Sequence, residues 1–292
     1  TDIVTLSNSS FVIVWTDYAQ HPRYNHHCHR GGCSNHHSGW YYYQDIEFIV
    51  KDLGGSTLNN QRTYENNDTN SHEHKLCLPS MATSASYFAV IHQHYGDVHF
   101  DTYNKSSYAV VVNNKEVSSA ALQSWNYNDC NPVMIESMTP DNFVAVWYDN
   151  YFTANHSNKI YAREVSGSSG SMVTGEITID TTSNFYNYGK PKIFVNGDKY
   201  DLFVIRAELV NKPNYPVYRY HYVLDSGLNV VETNIHSYKD DFAFDILPHV
   251  GDPVSFVKLA EGKYQETIVY TTTTTTTEFD TYRLDMTSGS LL

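Results

Sequence analysis

An all-β fold made of a repeated four-stranded unit is what this sequence predicts, and three observations lead to it. The chain of 292 residues contains 25 Tyr, and Tyr suits a pleated, half-buried surface. Short apolar runs of strand type recur along the chain, and no helical periodicity appears. The same order of short strand, turn and apolar run returns about five times, which indicates a repeat architecture.

The repeat is anchored by its second strand, an apolar run that follows a shorter strand and a turn. The five runs begin at Phe11, Tyr87, Phe143, Tyr200 and Tyr264. The predicted first strands are Asp2–Leu6, Lys75–Leu78, Pro132–Glu136, Pro191–Val195 and Pro253–Leu259. A third strand follows each run and ends near a Gly or Ser turn, and a fourth follows in most copies. The unit is therefore four antiparallel strands.

Four-stranded antiparallel units in tandem are typical of a β-propeller, in which each unit forms one blade. The sequence therefore predicts a single all-β domain over residues 1–292, a β-propeller with five blades. The predicted blades are 1–73, 74–130, 131–188, 189–250 and 251–292. The first is the longest because an inserted loop, Tyr18–Tyr43, lies between its second and third strands.

The third copy reads NFVAVWYDNYFTANHSNKIYAREVSGSSG and resembles a tandem propeller repeat, FVVVW…IYaqxfd…G, of secreted and cell-surface proteins of bacteria and protists. The matching residues are Phe143, Val144, Val146, Trp147, Ile160, Tyr161 and Ala162, then Gly167 or Gly170. The first copy matches through Phe11, Val12, Val14, Trp15, Asp45, Ile46 and Gly54. The resemblance implies this fold and an extracellular setting. Its motif is architectural, so it implies no catalytic residues.

Charge and composition exclude several classes of partner. The net charge of −13 opposes binding to nucleic acid, whose phosphates require a basic surface. No run of 18 apolar residues is present, so no membrane span is predicted. The nucleophile-elbow, zinc-protease and phosphate-loop motifs are missing from the sequence as well, and no cofactor is predicted.

Glycosylation is predicted from four N-x-S/T sequons. They begin at Asn8, Asn67, Asn104 and Asn155. Together with four cysteines, they favour a secreted glycoprotein over a cytosolic chain that is merely rich in Asn and Ser. A threonine tract has two interpretations, an extended hairpin or a site of O-linked sugars, and both stay open. The tract consists of Thr271, Thr272, Thr273, Thr274, Thr275, Thr276 and Thr277.

The stretch HHCHRGGCSNHH packs Cys28 and Cys33 among five histidines. In an oxidising compartment these cysteines predict a short-range disulfide, favoured over a metal site because the C-x4-C spacing matches no standard zinc pattern. The candidate ligands for the metal alternative are His26, His29, His36 and His37. A second bridge is predicted between Cys77, assigned to the first strand of the second blade, and Cys130, just before the first strand of the third.

The last blade ends at Leu291 and Leu292, where its fourth strand is due to begin. The sequence therefore predicts a blade without an outer strand. An open strand edge can accept a strand from another chain, so these residues form a candidate assembly edge. Truncation of a longer protein explains the missing strand equally well.

The first functional hypothesis is a non-enzymatic extracellular structural glycoprotein, a self-assembling subunit of a surface filament or matrix. Its predicted partners are further copies of itself and glycans. The alternative is a carbohydrate-binding or adhesion module, whose Tyr and Trp rings stack on sugars. The third hypothesis is a propeller glycosidase, which needs carboxylates that converge at one end of the ring. The carboxylates that follow second strands are Asp17, Asp149, Glu208 and Glu278.

Overall fold

A computed structural model shows five four-stranded antiparallel sheets, which confirms the prediction of an all-β fold. The structure describes residues 2–7, 9–29, 32–65, 79–94, 97–118, 132–149, 158–182, 185–208, 217–237, 255–260, 262–271, 277–285 and 290–291. Within these ranges no helix is long and apolar enough to cross a membrane.

The strands of each sheet are consecutive in the chain and lie side by side in chain order. The first sheet contains β1 (Asp2–Ser7), β2 (Ser10–His29), β3 (Gly32–Asp52) and β4 (Thr57–Glu65). The second contains β5 (Ser80–Thr83), β6 (Tyr87–His94), β7 (Asp97–Asn104) and β8 (Val110–Glu116). The third contains β9 (Val133–Glu136), β10 (Asn142–Asp149), β11 (Asn158–Ser166) and β12 (Ile177–Thr182). The fourth contains β13 (Phe185–Asn196), β14 (Lys199–Glu208), β15 (Val217–Leu224) and β16 (Val230–Ser237). The fifth contains β17 (Ser255–Ala260), β18 (Lys263–Thr271), β19 (Thr277–Asp285) and β20 (Ser290–Leu291).

Two predicted details of the strands are wrong, and a third lies outside the described residues. That third detail is the predicted strand Lys75–Leu78; the first described strand of the second sheet is β5, which follows Pro79. Proline lacks an N–H group and suits the position just before a strand. The fifth sheet does have a fourth strand, because β20 pairs Leu291 with Leu284 of β19. The insertion between β2 and β3 is an extension of the hairpin rather than a loop, since the two strands stay paired out to His29 and Gly32.

The core lies between consecutive sheets. Because successive side chains of a strand point to opposite faces, β10 packs against the second sheet on one face and against the fourth on the other. Phe143, Ala145 and Trp147 are buried against the second sheet. Val144 and Val146, on the opposite face, are buried against the fourth. Trp147 is 0% exposed and packs between the second and third sheets.

Aromatic rings join the first sheet to the second. Phe48 of β3 meets Phe88 and Tyr103 edge-on, with ring centroids 5.4 and 4.6 Å away. A smaller cluster of Phe203 and Tyr264 joins the fourth sheet to the fifth. The first strands β1, β5, β9 and β13 contact one another in chain order, so they lie on the inner side of the stacked sheets.

Candidate functional site

An open cleft of about 850 Å³ lies where the first strands of the first three sheets end. One wall is β1 from Ile3 to Ser7, continued by the turn that leads into β2. The opposite wall comes from the second sheet, and Glu136 at the end of β9 reaches in from the third. The cleft is lined by the ends of β1, β5 and β9, by the start of β2 and by residues of the turn that follows β5.

Its lining combines hydroxyl groups with one charge of each sign. Thr5, Ser7, Ser10, Thr83 and Ser84 supply the hydroxyls, and Ile3, Leu6, Phe11 and Leu53 supply apolar surface. Glu136 is exposed within the cleft. Lys105 is half-buried, and its Nζ donates a hydrogen bond of 2.8 Å to the backbone oxygen of Ser84. Among the described residues that line the cleft, Glu136 is the one carboxylate.

A second carboxylate, Asp141, does not line the cleft but is hydrogen-bonded to Ser84, which does. It belongs to the turn between β9 and β10, and its Oδ1 accepts hydrogen bonds of 2.9 Å from the Ser84 hydroxyl and from the backbone N–H of Ser86. Its Oδ2 accepts one of 2.9 Å from the Ser86 hydroxyl. Burial raises the pKa of Asp141, but these bonds and the charge of Lys105 outweigh burial and hold the pKa below its ordinary value. Asp141 is therefore ionised at neutral pH.

Two other carboxylates, half-buried Asp180 and buried Asp201, tie sheets together and lie outside the cleft. Asp180 of the third sheet accepts hydrogen bonds from Arg206 at 2.6 Å and from the Tyr222 hydroxyl at 2.5 Å, both in the fourth sheet. Burial raises the pKa of Asp180, yet these two donors lower it by more. Burial also raises the pKa of the Tyr222 hydroxyl, so that group stays protonated as a donor.

Asp201 occupies a similar position between the fourth and fifth sheets. It accepts hydrogen bonds from His221 at 2.9 Å, from Asn196 at 2.6 Å, and from the Tyr264 hydroxyl of the fifth sheet. Burial raises the pKa of Asp201, and the bonds from His221 and Tyr264 overcome that effect and lower it. Each of these two carboxylates accepts three hydrogen bonds through both of its oxygens, which marks it as structural.

The predicted cysteine and histidine site lies on the extended β2–β3 hairpin. The backbone register sets Cys28 directly opposite Cys33 and His26 opposite Asn35. His29 pairs with Gly32, while Asn25 and Tyr24 pair with His36 and His37. The disulfide stays a prediction, and so does the metal alternative. Cys77 and Cys130 lie outside the described residues, and β5 begins only at Ser80.

The other predicted sites are scattered over the sheets. Asn104 ends β7, where its Oδ1 accepts hydrogen bonds from the N–H and the hydroxyl of Ser106 at 2.9 and 2.7 Å. Thr271 and Thr277 pair across the hairpin of β18 and β19. Asn8, Asn67, Asn155, Thr272–Thr276 and Leu292 lie outside the described residues. Their modification and assembly roles stay predictions.

Sequence reasoning missed the residues of the cleft. Of the carboxylates predicted to follow second strands, Asp17 lies within β2, Asp149 and Glu208 end β10 and β14, and Glu278 lies in β19. None of them lines the cleft. In the sequence Glu136 is the last residue of a predicted first strand, and Lys105 follows Asn104 in a sequon, so neither position suggests a site. A signal was nevertheless present, because an exposed carboxylate at the end of an inner strand breaks an otherwise apolar pattern.

Comparisons with known proteins find a likeness of fold. A GH43 protein, BlXynB, from Bacillus licheniformis is 12% identical over 73% of this chain, with a TM-score of 0.43, and the match spans 40% of that protein's length. A thermostable family-43 glycoside hydrolase is 12% identical over 86% of this chain and 88% of its own, with a TM-score of 0.42. An alpha-L-arabinanase from Cellvibrio cellulosa, complexed with arabinohexaose, is 12% identical over 84% of this chain and 87% of its own, with a TM-score of 0.42. No protein-family model matches the sequence, and no curated protein does. Likeness at this level assigns no role to any residue of this chain.

Two functional predictions are contradicted by this comparison. The prediction of a non-enzymatic structural glycoprotein that assembles into a filament or matrix is wrong, and so is the prediction that the chain is not an enzyme. Solved structures with a similar arrangement of sheets include a family-43 glycoside hydrolase and an alpha-L-arabinanase. The error has a clear source, since the repeat motif reports how strands pack, and enzymes and non-enzymes share such packing.

Proposed function

We propose that the five sheets are the blades of a five-bladed β-propeller. In support, each sheet has four antiparallel strands in chain order, and the first strands of the first four sheets touch in succession. Contacts of the fifth sheet with the fourth continue the series, through Tyr264 and through the hydrogen bond from Lys258 Nζ to the Val195 oxygen at 2.6 Å. A closed ring predicts one further interface, between the fifth sheet and the first.

We further propose that the chain is a glycoside hydrolase that binds its saccharide in the open cleft. The observation that carries this proposal is the exposed carboxylate Glu136 in a cleft of about 850 Å³ lined by hydroxyls and by the ring of Phe11. Sugars present both hydroxyl groups and apolar C–H faces, so a lining of both kinds suits them. A volume in this range is typical of ligand sites.

The chemistry assigned to Glu136 is general acid catalysis. Hydrolysis of a glycoside breaks the bond between the anomeric carbon and the leaving oxygen, and that oxygen needs a proton. Glu136 in its protonated form would donate that proton, while water adds to the anomeric carbon and passes its own proton to the surrounding water of the open cleft, from which Glu136 is then reprotonated.

The test is hydrolysis of a panel of arabinan and xylan oligosaccharides by the wild-type protein and by Glu136→Gln. The substitution keeps the shape and the hydrogen-bonding reach of the side chain but removes its acidity. We expect turnover to fall by a factor of about 10² to 10⁴ while binding of the oligosaccharide is retained. The matched control is Glu232→Gln, an exposed glutamate on β16 of the fourth sheet. If both variants turn over substrate like the wild type, Glu136 is not the acid.

A further inference from the structure

Glu136 and the wall formed by the second sheet belong to neighbouring sheets, and Asp141 connects the two. Its turn begins just after Glu136, which pairs with Phe143 across the β9–β10 hairpin. Its carboxylate crosses to the second sheet and accepts three hydrogen bonds from Ser84 and Ser86. Ser84 in turn holds the ammonium group of Lys105 through its backbone oxygen. A short chain of contacts thus runs from the strand that carries Glu136 to the cation of the opposite wall.

The backbone around Asp141 is also held in a special conformation. Its φ of 60° lies in the left-handed region, which costs free energy for a residue other than glycine and is tolerated best by Asp and Asn. Its carbonyl oxygen accepts a hydrogen bond of 2.9 Å from the N–H of Gly167. The Gly167 oxygen then accepts one of 2.7 Å from the Thr102 hydroxyl of the second sheet. The turn is thereby fixed from two sides.

The first two sheets repeat the backbone part of this arrangement. Leu53 donates its N–H to the Ser9 oxygen at 3.1 Å, and Lys105 donates its N–H to the Ser86 oxygen at 2.9 Å. Gly167 and Asp141 make the equivalent bond in the third sheet. The residue equivalent to Asp141 is therefore Ser9 in the first sheet and Ser86 in the second. The carboxylate that reaches across to the neighbouring sheet is a feature of the third sheet, which also carries Glu136.

We propose that Asp141 is a positioning residue, which holds the Ser84–Lys105 wall at a set distance from Glu136. In its ionised form the carboxylate keeps Ser84 and Ser86 as donors, and this places Lys105 at the edge of the cleft. An effect of Asp141 on saccharide binding rests on the proposed function, whereas its effect on the position of Ser84 and Lys105 does not. Loss of the carboxylate should let the turn that contains Ser84 and Ser86 move, and Lys105 should move with it.

The ionised state links this arrangement to pH. The groups that face Asp141 are the Ser84 and Ser86 donors and the cation of Lys105, all from the second sheet. The pKa of Asp141 is lower in the folded protein than in the unfolded chain. The stabilisation from the hydrogen bonds of Ser84 and Ser86 to the ionised carboxylate is therefore present above the unfolded pKa and is lost as pH falls through the folded pKa. The wall should therefore loosen only in acid.

The experiment compares Asp141→Asn with the wild type. Asparagine tolerates the positive φ and keeps one acceptor oxygen, but it removes the charge and the second acceptor. The control is Asp198→Asn, at an exposed position in the corresponding turn of the fourth sheet. We expect the hydrogen-exchange protection factor of the Ser86 amide to fall by about tenfold or more in Asp141→Asn and to stay unchanged in the control. A crystal structure of each variant then gives the position of Lys105 Nζ, and binding of the oligosaccharide panel gives the affinity.

Each outcome decides the proposal. Lower protection of Ser86 together with a displaced Lys105 supports it, and weaker saccharide binding in Asp141→Asn extends it to the ligand. Unchanged protection, or a Lys105 that stays in place, overturns it. If the wild type binds none of the saccharides, the proposed function fails, while the protection factor and the position of Lys105 still test the positioning role.

Discussion

The packing of the first sheet on the second can be tested through Phe48 and Tyr103. Phe48 is 0% exposed, and its ring meets Phe88 at 5.4 Å and Tyr103 at 4.6 Å. Aromatic pairs of this kind are worth about 0.5–1.5 kcal/mol each beyond the area they bury, so Phe48→Leu, which loses two such pairs, should cost about 1–3 kcal/mol. The coupling of Phe48 with Tyr103 alone should be about 0.5–1.5 kcal/mol.

The assay is a double-mutant cycle in guanidinium chloride, with Phe48→Leu, Tyr103→Leu and the double variant. The control cycle combines Phe48→Leu with Tyr264→Leu, since Tyr264 lies in the separate cluster between the fourth and fifth sheets. Substitutions at distant sites add to within about 0.3–0.5 kcal/mol. A Phe48–Tyr103 coupling as small as that of the control would refute the reasoning, because the two rings would then not meet across the sheets.

Two further substitutions probe a close backbone approach and a buried carboxylate. A Cβ at Gly167 would lie 2.6 Å from the Asp141 oxygen, so Gly167→Ala should destabilise the protein by about 1–3 kcal/mol in thermal unfolding. Gly175 has no atom within 4 Å of an added Cβ, and Gly175→Ala should be neutral or stabilise by about 0.4–1 kcal/mol; equal losses in both variants would contradict the close approach. The pKa of Asp201 is lower in the folded protein than in the unfolded chain, so its stabilisation is present above the unfolded pKa of about 3.9 and is lost as pH falls through the folded value. Asp201→Asn should therefore flatten the acid limb of a plot of unfolding free energy against pH, and an unaltered limb would show that this carboxyl is not ionised in the folded protein.

The alternation of apolar residues could be read from the sequence because it depends on neighbours along one strand. In β10 the side chains of Val144 and Val146 go to one interface and that of Trp147 goes to the other, as a two-residue period requires. The same reasoning placed four of the five first strands. It did not identify β5, where two short apolar runs flank Pro79 and local pattern does not distinguish them. Burial of Met81 against the first sheet is a long-range contact that the local pattern does not contain.

The candidate site depended on relations that no local pattern contains. Glu136, Lys105 and Ser84 come from two sheets and meet only where three inner strands end together. Asp149, one of the carboxylates considered from the sequence, ends the second strand β10, and antiparallel pairing places it at the edge of the third sheet away from Glu136. The functional hypothesis failed for a related reason, because the motif that supported it describes strand packing and says nothing of the cleft.

The sequence by itself determined the class of secondary structure, the four-stranded repeat and the two faces of each well-patterned strand, because each of these follows from side-chain periodicity over a few residues. Tertiary structure alone decided which carboxylates became structural and which one faces the cleft. Asp141, Asp180 and Asp201 have donors from neighbouring sheets, whereas Glu136 ends an inner strand and faces the cleft. The physical reason is that hydrogen bonding and burial depend on groups far apart in the chain, and only the packing of the sheets brings those groups together.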